Sequence, residues 1–316
     1  MDKLDLSIII PCFNEEDNVQ SFYKKVQNVL WGGADRNNIN EVYFIFVDDG
    51  SKDNTIKEIK KLQANNKNIK LVKFSRNFGK EAAMFAGLRE SKSTLTCIMD
   101  CDLQDPPELL LEMIEKYKNT KGKLKLITAK RKDRSGDSRF RAFFSEVFYK
   151  INNILSPIKL ESGVRDFRLI HRDALDCILQ MNEYHRFSKA IFEFVGFQKE
   201  IVEYDYIDRE QGASKWNFIK LFLYAIEGIV SFSTIPLKII TLIGFVIFVI
   251  SSIYGIHIII DTLAFGNDVK GYPSIVTLIA FFGGLQIMLL GIIGEYIARI
   301  YEQSKNRPHY FIEYIS

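Results

Sequence analysis

The four cysteines, Cys12, Cys97, Cys101 and Cys177, include no CxxC pair and show no framework spacing. They exclude a disulfide scaffold and read as small apolar residues in a reducing compartment. The four histidines are scattered, so a zinc site is not expected. An excess of one charge is also missing. Lysines and arginines number 42 against 39 aspartates and glutamates, a formal net charge of +3, which gives no broad basic face for nucleic acid. The opening MDKLDLSIII lacks the basic start, apolar middle and cleavage site of a signal peptide, so the first domain is expected to stay in the cytoplasm.

Long apolar runs are present, and both lie in the last third. PLKIITLIGFVIFVISSIYGIHIII (236–260) and YPSIVTLIAFFGGLQIMLLGIIG (272–294) are each long enough to cross a hydrocarbon core of roughly 30 Å. A buried helix of a soluble protein is the plainer account of one such run, but two in succession read as two membrane-spanning helices. Lys215, Lys220 and Lys238 precede or enter the first run, and Arg299, Lys305 and Arg307 follow the second. The connecting DTLAFGNDVKG has one lysine against two aspartates. By the positive-inside rule, both termini face the cytoplasm.

Ahead of these runs, apolar strands alternate with amphipathic helices. LSIII, VYFIFV, IKLVKF and TLTCIM are strands; DNVQSFYKKVQNVL, DNTIKEIKKLQ, KEAAMFAGLRES and PPELLLEMIEKYK are helices. Asp53 suits the N-cap of the second helix. Four β–α units in series imply an α/β domain with a doubly wound, mostly parallel sheet, whose ligands bind beyond the carboxyl ends of the strands. The loops there are polar: PCFNEE, DDGSKDN, SRNFGK and DCDLQD. A lone DDGS is an ordinary turn. Four such loops at one sheet edge would repel one another unless a cation or a donor-rich ligand balanced them.

In extended backbone, Asp100, Asp102 and Gln104 alternate on one side and present oxygens to one point. Mg²⁺ or Mn²⁺ accepts such ligands, with substrate phosphates completing the shell. Helix capping is the alternative use, and Asp105 suits that task.

SIIIPCFNEEDNV, FVDDGSKDNT, SRNFGKEAAMFAGL and MDCDLQDPPE, in that order, resemble family 2 glycosyltransferases of the GT-A fold. More narrowly, the chain resembles the polyprenyl-phosphate glycosyltransferases, such as dolichol-phosphate mannose synthase and the bactoprenol glucosyltransferases. That likeness extends through GVRDFRLIHRDAL, REQGASKW and GEYIARIYEQSKNRP. Cys101 stands where the family usually has alanine, and its small size should be tolerated. The resemblance implies nucleotide-sugar contacts from Pro11, Asn14, Glu15, Asp48, Asp49, Arg76, Gly79, Lys80 and Asp100. Which of Asp48 and Asp49 meets the base stays open. It also implies a Mg²⁺ or Mn²⁺ ion held by Asp100, Asp102 and Gln104.

The implied reaction moves a sugar, UDP-glucose being the first choice of donor, onto undecaprenyl phosphate with inversion. UDP-N-acetylhexosamine and GDP-mannose are alternative donors. The acceptor, a phosphate monoester with a second pKa near ~6, is anionic at neutral pH and needs cations more than a base. Arg131, Arg139, Arg165, Arg168 and Arg209 are candidates, with Ser214 and Lys215 on a closing loop. A solvated or headgroup-facing basic run is the plainer account of any one arginine. Asp166 is either a salt-bridge partner of Arg165 and Arg168 or a base or positioning group; Asp102, Asp166 and Arg131 are the catalytic candidates.

The expected organisation is a catalytic domain over 1–185 and amphipathic interfacial helices with an acceptor loop over 186–234. A transmembrane hairpin over 235–301 and a cytoplasmic tail over 302–316 complete it. This is a multi-pass protein of the cell membrane, with homo-oligomerisation left open. HRFSKAIFEFVGF suits a helix lying on the bilayer or one packed against the spans. A processive polysaccharide synthase would show Gln-x-x-Arg-Trp where this chain has QGASKW. A noncatalytic membrane scaffold would have no use for Asp100, Asp102 and Gln104 together.

Overall fold

The computed structural model describes residues 4–32, 39–132, 158–205 and 271–316, with scattered positions at 150, 153–154 and between 242 and 264. Its first half alternates β1 (Leu4–Cys12), α1 (Val19–Gly32), β2 (Ile39–Asp48), α2 (Thr55–Gln63), β3 (Ile69–Phe74), α3 (Lys80–Glu90), β4 (Leu95–Ile98) and α4 (Leu109–Asn119). The second half adds β5 (Leu126–Arg131), β6 (Val164–His171), α5 (Arg172–Gln180), α6 (Ser188–Phe194), β7 (Lys199–Tyr204), α7 (Tyr272–Ser304) and β8 (Ile312–Ile315). One eight-stranded sheet results, in the order β7-β5-β6-β4-β1-β2-β3-β8, with β6 and β8 running against the rest. It is the mostly parallel α/β sheet expected, with strands at both edges beyond it.

Strand periodicity explains the layering. Along β1, Ile8 and Ile10 face the core built with Val19, Phe22 and Val26 of α1 and Leu110 and Met113 of α4, while Ile9 faces the opposite core. That second core holds Ala83, Met84 and Ala86 of α3, Leu175 and Ile178 of α5, and Ile191 and Phe192 of α6. Burial on both faces makes the central strands near-continuous apolar runs. Helix α3 lies so close to the sheet that a Cβ on Gly87 would sit 2.1 Å from Ile9 Cγ2.

The sheet outruns the boundary expected at residue 185. Segment 188–194 packs into the domain: Ala190, Ile191 and Phe192 are buried there, and β7 pairs with β5. The tail also joins the domain, β8 pairing antiparallel with β3.

Helix α7 has 33 residues, about 50 Å at 1.5 Å per residue. Within it, Phe281–Ser304 is long and apolar enough to cross a membrane, and Ile287, Leu290 and Ile300 are exposed. Most of the other expected span lies outside the described residues; Leu242, Ile250 and Ile253 within it are helical and exposed. Among the described residues, one such helix is found.

Candidate active site

The chain places β2 and β3 on one side of β1 and β4 on the other, which opens a crevice at the carboxyl ends of these strands. A cleft of about 990 Å³ lies there, with a side recess of about 290 Å³. Asn77, Gly79, Lys80, Asp100 and Asp102 line both, so the two are continuous.

The first two loops are braced against each other. Asn14, with φ 57°, donates its backbone N–H to Ser51 Oγ at 2.9 Å, and its Oδ1 accepts from Lys52 N at 2.9 Å. Its side-chain oxygen is therefore engaged in bracing the loops. Pro11 and Glu15 line the recess, and Glu15 N donates to Thr55 Oγ1 at 2.8 Å. The N-cap of α2 is Asn54 and not Asp53 as expected; Asp53, one residue earlier, accepts from Thr55 N at 3.0 Å and from Glu16 N at 3.2 Å.

The paired aspartates differ. Asp48 is fully buried, and it is Asp49 that borders the recess. Asp49 accepts from Phe78 N at 2.6 Å and Gly79 N at 2.9 Å, so it shapes the third loop. Burial raises both carboxyl pKa values, while the two loop N–H groups pull that of Asp49 down. Gly50 permits the close approach: its φ is +73°, and a Cβ there would lie 2.6 Å from the backbone carbon of Arg76. The Arg76 guanidinium lies 4.0 Å over the Phe78 ring, and both residues line the cleft.

Lys80, the first residue of α3, stands at the centre. Its Nζ lies 2.7 Å from Asp100 Oδ1 and 2.7 Å from Asp166 Oδ2. Sheet register explains the meeting, because β4 and β6 pair antiparallel with Ile98 opposite Arg168, and continuing that register brings Asp166 alongside Asp100. Burial works to lower the Lys80 pKa, but Asp166 and Asp100 outweigh it and hold it above the usual range. Burial would likewise raise Asp166, yet Lys80, Lys189 and Arg168 keep it well below an ordinary carboxyl. Asp166 is thus ionised and paired chiefly with Lys80.

Extended backbone does not continue past β4. Residues 101–102 turn and Leu103 takes φ 55°, so a turn brings Asp100, Asp102 and Gln104 to the cleft. Gln104 Oε1 accepts from Arg165 Nη2 at 3.0 Å. Asp105 does not cap α4. It is buried, takes Arg165 Nε at 3.3 Å and accepts from the Tyr204 hydroxyl. Burial raises its pKa and the Arg165 charge opposes that rise. Cys101 is buried, with a free thiol, as is Cys12.

The expected acceptor arginines separate. Arg165 lines the cleft. Arg168 does not: it is 1% exposed, its guanidinium lies 3.9 Å over the Phe192 ring and its Nη2 donates to Arg165 O at 2.8 Å. Burial lowers its pKa to about 10, and its charge supports Asp166 from the interior. Arg131 ends β5 opposite Tyr204 and lies outside the cleft lining. Arg139, Arg209, Ser214 and Lys215 lie outside the described residues.

A model of glycosyl transferase family 2 matches residues 7–179, and one of a GtrB C-terminal hairpin matches residues 235–300. The chain belongs to glycosyl transferase family 2. A bactoprenol glucosyl transferase of Shigella phage SfV is 43% identical over 98% of this chain and 98% of its own. A prophage bactoprenol glucosyl transferase homolog of Escherichia coli is 42% identical, covering 98% and 99%. An uncharacterized glycosyltransferase of Synechocystis is 39% identical, covering 98% and 95%.

The family 2 domain places further residues at the cleft that the sequence reading passed over. Glu81 follows Lys80, and its carboxylate accepts from Ser188 N at 3.2 Å and from the Ser188 hydroxyl. Burial pushes its pKa up to about 7, against the pull of Ser188. Its place inside SRNFGKEAAM was the available signal. Tyr184, Arg186, Lys189 and His309 also line the cleft. Arg186 and Lys189 come from the segment expected at the membrane interface and His309 from the tail, while Tyr184 lies at the end of the stretch assigned to the catalytic domain without a motif to mark it.

Proposed function

We propose that this protein transfers glucose from UDP-glucose to polyprenyl phosphate at the cytoplasmic face of the membrane, with inversion. The observation that carries the reading is the pair of carboxylates, Asp100 and Asp166, held by Lys80 beside Asp102 in a cleft continuous with a side recess. Full-length identity to bactoprenol glucosyl transferases supports the glucosyl donor and the lipid acceptor. The matched C-terminal hairpin supports membrane anchoring through two spans.

The recess lined by Pro11, Glu15 and Asp49 takes the nucleoside, and the shared boundary at Gly79 and Lys80 takes the diphosphate. No group of three or more His, Cys, Asp or Glu gathers around one point among the described residues. Two hard carboxylates at that boundary fit a Mg²⁺ or Mn²⁺ ion that completes its shell with substrate phosphate oxygens. Asp102 and Asp100 would hold it, while Gln104 is drawn instead to the Arg165 guanidinium. Such an ion supplies charge neutralisation of the leaving diphosphate.

The protein's own work is alignment. An oxygen of the lipid phosphate attacks the anomeric carbon of glucose, the bond to the β-phosphate oxygen breaks, and the electron pair leaves on UDP. The phosphate is anionic at neutral pH, so no proton has to be removed. Lys80 places one cation between the two carboxylates and the leaving group, where it opposes charge as it develops.

Transfer from radiolabelled UDP- and GDP-sugars to undecaprenyl phosphate tests this. The purified protein is expected to form one lipid-linked product, from UDP-glucose, and Asp102→Asn to lose at least about a hundredfold in kcat, as for the loss of an electrostatic stabiliser. Lipid-linked product from another donor alone would replace glucose. No product from any donor would defeat the reading.

A further inference from the structure

We propose that Arg186, with Lys189 beside it, holds the phosphate monoester of the acceptor on the cleft wall that meets the end of α7. This rests on the lipid-phosphate reading above and assigns the acceptor a subsite within it.

The cleft divides by chemistry. Its recess side carries Asp49, Asp100 and Asp102, which suits the nucleotide and its diphosphate. The opposite wall is made by Tyr184, His185, Arg186, Phe187 and Lys189 with His309 from the tail; the carboxylate that meets it, Glu81 of α3, is taken up by Ser188 N–H and hydroxyl. An anion arriving after the donor finds its cations there.

Arg186 is built into this wall rather than displayed on it. It is 9% exposed, and its guanidinium lies 3.8 Å over the ring of Phe85 on α3. Nη1 donates to Met181 O, which fixes the fork. Among the described residues, its buried Nε has no hydrogen-bond acceptor. Glu183 and Glu81 offset the charge from a distance, and no described carboxylate pairs with it in direct contact. Leaving a buried polar group unmet is unfavourable, and an arginine edge of this kind takes two oxygens of one phosphate. Lys189 stands three residues on in the same lining, close enough to act on the charge of Asp166.

The same wall receives the long apolar helix. Gln303 of α7 accepts from Tyr184 N at 2.7 Å and donates to Asn182 O at 3.0 Å, while His185 bonds Glu302. A phosphate whose hydrocarbon chain stays beside α7 therefore reaches this wall first. Free inorganic phosphate shares the chemistry without the chain, and a short-chain prenyl phosphate lies between them.

The test is steady-state kinetics of the full chain in nanodiscs, with undecaprenyl phosphate and UDP-glucose varied separately. Arg186→Gln and Lys189→Gln are each expected to raise KM for undecaprenyl phosphate at least about tenfold, with KM for UDP-glucose within about twofold. The same penalty is expected with a water-soluble short-chain prenyl phosphate, and inorganic phosphate should inhibit the wild type competitively with lipid and the variants weakly. UDP binding by calorimetry separates misfolding from lost recognition; if Arg186→Gln does not bind UDP, Lys189→Gln decides. Unchanged lipid KM in a UDP-binding variant overturns the proposal, as does a rise confined to the donor. A penalty seen only with the long chain would overturn it too, by assigning the wall to the hydrocarbon. A wild type that makes no lipid-linked glucose would fail the preceding section instead.

Discussion

Glu81 is a carboxyl whose surroundings set its proton. It is drawn into the wall by Ser188, and burial lifts its pKa to about 7 from an ordinary 4.5. Between those values, the folded protein keeps a proton that the unfolded chain releases, so the stabilising contribution is complete below about pH 4.5 and is lost as pH rises through about 7. Glu81→Gln keeps an acceptor for Ser188 without the titration. Thermal midpoints across that window should fall more steeply in the wild type than in Glu81→Gln; parallel curves would refute this. Asp105 shows how a residue's role depends on distant partners. Read locally, an aspartate before Pro106 and Pro107 is a helix cap. Its real partners, Arg165 and Tyr204, lie 60 and 99 positions away. Through Arg165 it also decides what Gln104 can do.

Elements with a clean period were legible. β1 to β4 and α1 to α4 announce themselves by apolar runs and helical spacing, and the four polar loops follow at their expected ends. β6 was not legible, because VRDFRLIH interrupts its apolar positions with Arg165, Asp166 and Arg168, two of which serve the cleft. Membrane-like composition hid α6, since a segment rich in phenylalanine with a lysine fits a bilayer surface and a protein core alike. Helix α3 brings a sharper expectation. Its sheet-facing side allows no side chain at Gly87, where an added methyl would meet Ile9 and Val47. Gly87→Ala should therefore destabilise the domain by about 1–3 kcal/mol, despite alanine's better helix propensity. A thermal midpoint at or above the wild type's would show that the helix shifts freely.

At the scale of the molecule, the tail is a working part of the enzyme domain. Leu71 N donates to Ser316 O at 2.8 Å and Ser316 N to Leu71 O at 3.0 Å, while Tyr310 stacks on Phe74 at 4.8 Å. His309 packs edge-on against Phe85, beneath the same ring that carries Arg186. Deleting residues 312–316 should leave UDP binding in place and reduce transfer to lipid by about tenfold or more, roughly 1.4 kcal/mol in the aligned state. Equal losses in both assays would mean that the strand only stabilises the sheet.

Because β8 follows α7 along the chain, the outer edge of β3 has no partner while the polypeptide is still being made. An open edge is a template for pairing with other chains. The closing strand is made only after the apolar helix, so a copy cut short within that helix is left with this edge open. Pairing of β8 thus closes an edge that the rest of the sheet leaves open.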